Sequence, residues 1–167
     1  NRLTVMENIL CGSLLRSGLG LVQCALGLSS DKRGHAAAME RAAAYALLLG
    51  LESETGRRAG ELPLAKQRAV EIARAIATEP KLLLLDEPGA GLTEDEATNL
   101  AAIIRNLRQE KELSILLIDH NMSLVVSLCQ EIAVMNFGEI IADGPSGEVV
   151  NSQAVRAAYL GEPIAAG

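Results

Sequence analysis

Two short aliphatic runs, each closing on charged side chains, constrain this chain more than any other feature. The first is Leu82-Leu83-Leu84-Leu85, followed by Asp86-Glu87-Pro88. The second is Ile115-Leu116-Leu117-Ile118, followed by Asp119-His120. A short continuous apolar run reads as a strand covered on both faces. Leucine is a poor strand former, so length and flanks decide the reading. Between the runs, Thr93 and Glu96 form a capping box that opens a helix reaching about Lys111. Glu94, Asp95 and Glu96 sit where the helix dipole favours acids. Strand, helix and strand of these lengths fit a right-handed crossover, with both strand ends on one edge of a parallel sheet. Ligands of open α/β sheets bind at that edge.

The chemistry follows from what stands at the strand ends. Asp86 is placed to hold Mg²⁺ through water, because hard cations prefer oxygen ligands. Glu87 is placed to polarise an attacking water. The alternative for an Asp-Glu pair is a solvated acidic turn, but the leucine run and the following Pro-Gly-Ala-Gly-Leu argue for a site. His120 lies 34 residues beyond Asp86 and could hydrogen-bond a phosphate oxygen. A lone histidine is more often structural, and its position after the second strand is what singles this one out. His35, in a polar segment, takes no role. A third candidate is Leu62-Pro63-Leu64-Ala65-Lys66-Gln67-Arg68, just before a helix with apolar spacing from Leu64 to Thr78. Helix N-termini bind anions, and Lys66 and Arg68 add charge. Pro80 ends that helix.

The rest of the chain divides in two. Residues 1–61 read as a helical subdomain. Thr4 and Glu7 form a capping box for a helix towards Leu15, and Asp31 could cap a second helix through the alanine-rich run to Leu49, stopped by Gly50. Residues 17–28 fit a loop or a short helix, and 52–61 a loop. Residues 62–167 hold the alternating part. After the second strand come a helix over Asn121–Gln130 and a hairpin turning at Asn136–Gly138. Two short helices follow, near Glu148–Val150 and Ala154–Leu160. Charge divides at the same place. Seven basic and five acidic residues give 1–60 a net of +2, while eight basic and sixteen acidic give 61–167 a net of −8.

Composition removes several functions. A net charge of −6 argues against a mainly electrostatic nucleic-acid binder. Aromatic residues are 2%, only Tyr45, Phe137 and Tyr159, which leaves no base-stacking platform. Cys11, Cys24 and Cys129 form no C-x-x-C pair and read as buried cytosolic thiols. The apolar stretch from Leu14 to Leu28 is too short and too interrupted for a membrane span. The first residues do not read as the charged-then-apolar pattern of a signal peptide. A phosphate-cradling loop reads G-x-x-x-x-G-K-[ST]. None of the 15 glycines has another glycine five residues later, and no Gly-Lys occurs. The chain therefore carries the acidic half of a nucleotide site without the half that grips phosphate.

In this order the motifs resemble the ATP-binding subunit of an ABC transporter. Leu82–Glu87 looks like the Walker B strand, Gly89-Ala90-Gly91-Leu92 with Thr93 like the D-loop, and His120 like the switch histidine. Gln67-Arg68 with Glu71-Ile72-Ala73-Arg74, Ile118-Asp119-His120-Asn121-Met122 and the tail Val155–Glu162 are similar to the branched-chain amino acid importers (the LivG-like group). The resemblance implies an α/β fold, the rear part of an ABC-type P-loop ATPase domain. In it a helical subdomain precedes mainly parallel core strands, flanking helices and a C-terminal hairpin. It implies ATP and Mg²⁺ as ligands, with Asp86 holding the ion, Glu87 activating water and His120 steadying the γ-phosphate. Leu62, Pro63, Leu64, Ala65, Lys66 and Gln67 would be the signature that touches the partner subunit's ATP, alongside the D-loop. The implied partners are a second ATP-binding subunit and transmembrane permease subunits, at the cytoplasmic face of the membrane. Residues 1–61 would face the membrane subunit.

Two departures bear on that reading. Pro63 stands where the family keeps a small polar residue and has no N–H to offer. Ala65 stands where the family keeps glycine. The resemblance also places Walker A and the Q-loop ahead of Asn1, so the chain alone is expected to be inactive. A sheet without those strands is expected to leave an open edge and apolar surface. The alternative is a non-catalytic, transporter-associated interaction module. A DNA-repair or chromosome ATPase shares Walker B and the signature, but the acidic balance and the importer-like tail oppose it.

Overall fold

A computed structural model describes residues 2–16 and 32–160. The first helix, α1, spans Val5–Arg16. Its capping box is formed: the Thr4 N–H donates to Glu7 Oε2 at 2.7 Å and the Glu7 N–H donates to Thr4 Oγ1 at 3.2 Å. The second, α2, spans Lys32–Leu48. Gly50, at φ 66°, stops it. The Leu51 N–H reaches back to Ala46 O and the Gly50 N–H to Leu47 O, the paired bonds of a Schellman motif. The suggested cap at Asp31 and the ambiguous stretch 17–28 lie outside the described residues. Residues 52–61 are not plain loop but two 3₁₀ turns, Glu52–Glu54 and Ala59–Glu61.

Helix α3, Leu64–Ile76, buries Ala69, Val70, Ile72, Ala73 and Ile76 on one side. Strand β1 is Leu82–Asp86, helix α4 is Glu94–Lys111 and strand β2 is Ser114–Ile118. The two strands pair in parallel with Leu82 opposite Ser114 and Asp86 opposite Ile118. Helix α5 is Met122–Leu128, shorter than the 121–130 expected. Strands β3, Glu131–Asn136, and β4, Glu139–Pro145, form an antiparallel hairpin with a bulge between Val134 and Met135. Its two-residue turn puts Phe137 and Gly138 at φ 46° and 85°, the positive values that match strand twist. Helices α6, Ser146–Val149, and α7, Gln153–Leu160, follow.

One core joins the helical segment to the strands. Val5, Ile9, Leu49 and Leu51 pack in the same buried cluster as Val70, Leu83, Ile104 and Leu107. Lys111, in the last turn of α4, also places its ammonium 5.0 Å from the centre of the Tyr45 ring. A smaller cluster of Val125, Ile132, Val134, Val149 and Val155 seats the hairpin.

Two expectations fail. The strands are not covered on both faces. Leu83 and Leu85 are buried, but Leu82, Leu84, Leu116 and Ile118 are 51%, 65%, 55% and 61% exposed. Core residues of α3 and α4 pack with Leu83 and Leu85, and nothing among the described residues covers the opposite face. Cys11 is exposed rather than buried, on the side of α1 away from the core; Cys129 is half-buried, which pushes its thiol up. No described helix is long and apolar enough to cross a membrane.

Helix α1 lies so close to α3 that a Cβ on Gly12 would fall 2.1 Å from the Arg74 carbonyl oxygen. Gly12→Ala is expected to destabilise the chain by about 1–3 kcal/mol, because backbone must move to admit the methyl group. Urea unfolding reads this directly, and an unchanged midpoint would show that the helices separate freely.

Candidate functional site

The parallel register of β1 and β2 brings two strand ends side by side. Asp86 closes β1, exposed, opposite Ile118. The next residue, Glu87, turns sharply: its φ is +46°, a left-handed conformation that a non-glycine residue adopts at a cost. Two backbone bonds hold it there. The Glu87 N–H donates to Ile118 O at 2.7 Å, and the Ala90 N–H donates to Glu87 O at 3.1 Å. The turn directs the Glu87 side chain towards the end of β2, where His120 Nδ1 lies 3.5 Å from Glu87 Oε1. Both side chains are more than half exposed, so each can meet a ligand from solvent.

Asp119 ties the two loops together. Its side chain is fully buried. Oδ2 accepts from the Gly89 N–H at 3.0 Å and Oδ1 from the Asn121 N–H at 2.9 Å. Asn121 in turn caps α5 by accepting from the Leu124 N–H at 3.1 Å. Gly89 is small because it must be: a Cβ there would lie 2.9 Å from Leu124 Cδ2 and 3.0 Å from Asp119 Oδ2. Sequence reasoning gave Asp119 no such part. The available signal was an aspartate two residues before a helix cap, the spacing at which a carboxylate accepts its neighbour's N–H.

The segment Leu62–Gln67 sits at the start of α3. Leu62 is buried, and the Gln67 side chain donates to Leu62 O at 2.8 Å. Pro63 occupies the cap position and supplies no side-chain cap bond. The N–H groups of Leu64, Ala65 and Lys66 open the helix without intrahelical acceptors, as the first turn of any helix leaves them. The charge expected at Lys66 is already matched. Its ammonium bonds to Glu54, across twelve residues, and Arg57 bonds to the same carboxylate. These hydrogen bonds, Lys66 first, hold the Glu54 carboxyl below its ordinary value. Arg68 pairs with Glu71 at 2.9 Å. The segment touches the 89–92 loop through Leu64, whose Cδ2 lies where a Cβ on Gly91 would come within 3.0 Å. Gly91 has φ 79°, which only glycine adopts without strain. Ala90 and Leu92 are half-buried between.

The structure thus groups Asp86, Glu87, His120 and the 89–92 loop on one sheet edge, with Leu64 against that loop. Among the described residues no three His, Cys, Asp or Glu side chains cluster as a metal site by themselves. An exposed Asp86 with Glu87 beside it fits a hydrated Mg²⁺ that takes its other ligands from phosphate and water.

Comparison with known proteins places the chain in a family. The ABC transporter family profile matches residues 1–90, and that of the branched-chain amino acid ATP-binding cassette transporter matches 139–165. The chain is 38% identical over 160 residues to the high-affinity branched-chain amino acid transport ATP-binding protein LivG of Escherichia coli K12. It is 37% identical over 160 residues to BraF, the corresponding protein of Pseudomonas aeruginosa. Each match covers 96% of this chain and 63% of the relative, so the chain spans a little under two thirds of their length. Among solved structures, a nucleotide-free ATP-binding cassette from an ABC transporter superposes with a TM-score of 0.75 at 27% identity, over 96% of this chain and 64% of that one. The ADP conformation of such a cassette gives 0.75 at 28%, with the same coverage.

Asp119→Ala leaves the part-buried N–H groups of Gly89 and Asn121 without their acceptor. It is expected to cost about 1–3 kcal/mol. Glu87→Gln, at an exposed position, is expected to change stability by less than about 0.5 kcal/mol. Urea unfolding of the two variants checks the contrast; equal effects would contradict the tie.

Proposed function

The chain belongs to the ABC transporter family, and we propose that it is the acid-bearing part of an ATP-hydrolysing cassette that drives import of branched-chain or related amino acids. The observation that carries this reading is the 3.5 Å approach of Glu87 and His120 across the ends of two paired parallel strands. Glu87 acts as the base that draws a proton from the attacking water, and His120 stabilises the transferred phosphoryl oxygens by hydrogen bonding. Asp86 would hold Mg²⁺ through water, and the ion would supply positive charge beside the phosphates. The backbone N–H groups at the start of α3 and the 89–92 loop face ATP bound on a second cassette.

Phosphoryl transfer rests mostly on gripping and positioning the phosphates. This chain has no G-x-x-x-x-G-K-[ST] to do so. Pro63 offers no N–H at the start of α3, and Lys66 is paired with Glu54. The reading therefore assigns the 167 residues a share of the chemistry rather than all of it. Residues 1–61 serve as the face towards permease subunits, on the cytoplasmic side of the membrane.

A second reading, a non-catalytic docking module, is favoured by the exposed Met39 and Leu47 on α2. It requires that deleting 1–60 abolish capture by a permease subunit, and capture that survives the deletion would exclude it.

The purified chain is expected to bind Mg²⁺–ATP weakly and to show no turnover above buffer in a phosphate-release assay. Robust hydrolysis that disappears in Glu87→Gln would overturn the partial-site reading while supporting Glu87 as the base. Hydrolysis indifferent to Glu87→Gln would remove Glu87 from its role.

A further inference from the structure

Residues 57–68 hold four cations, and each is paired with a carboxylate. Arg58 lies 3.9 Å from Glu61, Arg68 lies 2.9 Å from Glu71, and Lys66 and Arg57 share Glu54. The pairs differ in kind. The carboxylates of Glu61 and Glu71 are 59% and 48% exposed. Exposed pairs of that sort are weak and give way to a competing anion. The Glu54 side chain is only 13% exposed, and its two oxygens are divided between its partners. Oε1 accepts from Lys66 Nζ, and Oε2 accepts from Arg57 Nη1 at 2.8 Å.

Backbone bonds fix the turn that carries this carboxylate. The Glu54 N–H donates to Leu51 O at 3.0 Å, and the Arg57 N–H donates to Glu54 O at 2.9 Å. The same turn receives the start of α1: the Val5 N–H donates to Arg57 O and the Met6 N–H to Thr55 O. Glu54 is thus the fixed member of the pair. Lys66 is the movable one, with a flexible four-carbon stem and a side chain 39% exposed. Breaking a largely buried pair is costly when it leaves a bare charge. Here the departure of Lys66 leaves Glu54 still bonded to Arg57.

We propose that Glu54 is an internal competitor for phosphate. It occupies Lys66, and an anion reaches that ammonium only by exchange with the carboxylate, which Arg57 retains. The proposal rests on the reading that Leu62–Gln67 faces nucleotide phosphates on a second cassette, and it names the regulation of that segment. Because Lys66 must first leave Glu54, the segment binds polyphosphate more weakly than its own charge implies.

The test titrates the ¹⁵N-labelled full chain with tripolyphosphate at fixed ionic strength and follows the backbone resonances of residues 64–67. Glu54→Gln is expected to tighten binding there roughly fivefold, and Lys66→Gln added to it to abolish the gain. A second measurement leaves Glu54 in place. Saturating tripolyphosphate is expected to move the Glu54 carboxylate ¹³C resonance of the unaltered chain to its position in Lys66→Gln, and to leave it unmoved in Lys66→Gln itself. Equal affinity with and without Glu54, a gain that survives Lys66→Gln, or a carboxylate resonance indifferent to the anion would each overturn the competition while leaving the segment facing phosphate. An absence of shifts at 64–67 in every chain would overturn the nucleotide-facing reading of the segment, and the competition with it.

Discussion

The in-register parallel pairing of β1 with β2 is the constraint on which the rest depends. It sets Asp86 opposite Ile118, and the Glu87 N–H extends the ladder by one bond to the Ile118 carbonyl. That bond closes as the backbone of Glu87 turns left-handed, a conformation that costs of order 1–2 kcal/mol for a residue with a Cβ. The ladder, the Ala90 bond and the packing of Pro88 and Gly89 hold the turn. The result is that a carboxylate leaves the strand end sideways, towards the histidine of the neighbouring strand. A shift of register by one residue would separate them and put Leu83 and Leu85 on the bare face.

Asp119 adds the second level of order. A fully buried carboxylate is costly unless its oxygens are bonded, and here each oxygen accepts a backbone N–H from a different loop. The loop that carries Gly89 and the loop that carries His120 are therefore joined through one side chain. The same carboxylate leaves no room for a side chain at residue 89 and seats the cap of α5. Local chemistry at one aspartate thus links the ATPase-like edge to the helix behind it. On the other side of the sheet, among the described residues, Leu82, Leu84, Leu116 and Ile118 are open, and the two ribbons do not pair.

Much of this was legible in the chain. The capping boxes at Thr4 and Thr93, the stop at Gly50, the strand ends at Asp86 and Asp119 and the turn before Gly138 all rest on short-range physics that neighbouring residues fully specify. That the strand ends bearing Glu87 and His120 could lie on one edge followed from the length of the crossover helix. What could not be read depends on distant parts. The bond from Lys66 to Glu54 spans twelve residues and redirects a charge that seemed free for an anion. Asp119 looked like half of a polar pair because its acceptors' donors lie thirty and two residues away. The hairpin's bulge at Val134/Met135 has no local signal, and Val134 beside it packs with Val149 of α6 and Val155 of α7.

The chain belongs to the ABC transporter family, and the central proposal is that Asp86, Glu87 and His120 form one edge that meets Mg²⁺–nucleotide. Paramagnetic broadening tests it most directly, because it detects even weak, rapidly exchanging binding. Mn²⁺–ATP would be added to the ¹⁵N-labelled chain and to Asp86→Asn. The account predicts broadening centred on residues 86–91 and 119–121 that the substitution removes. Broadening centred instead on the acidic turn at Glu94–Glu96, or unchanged in Asp86→Asn, would contradict it.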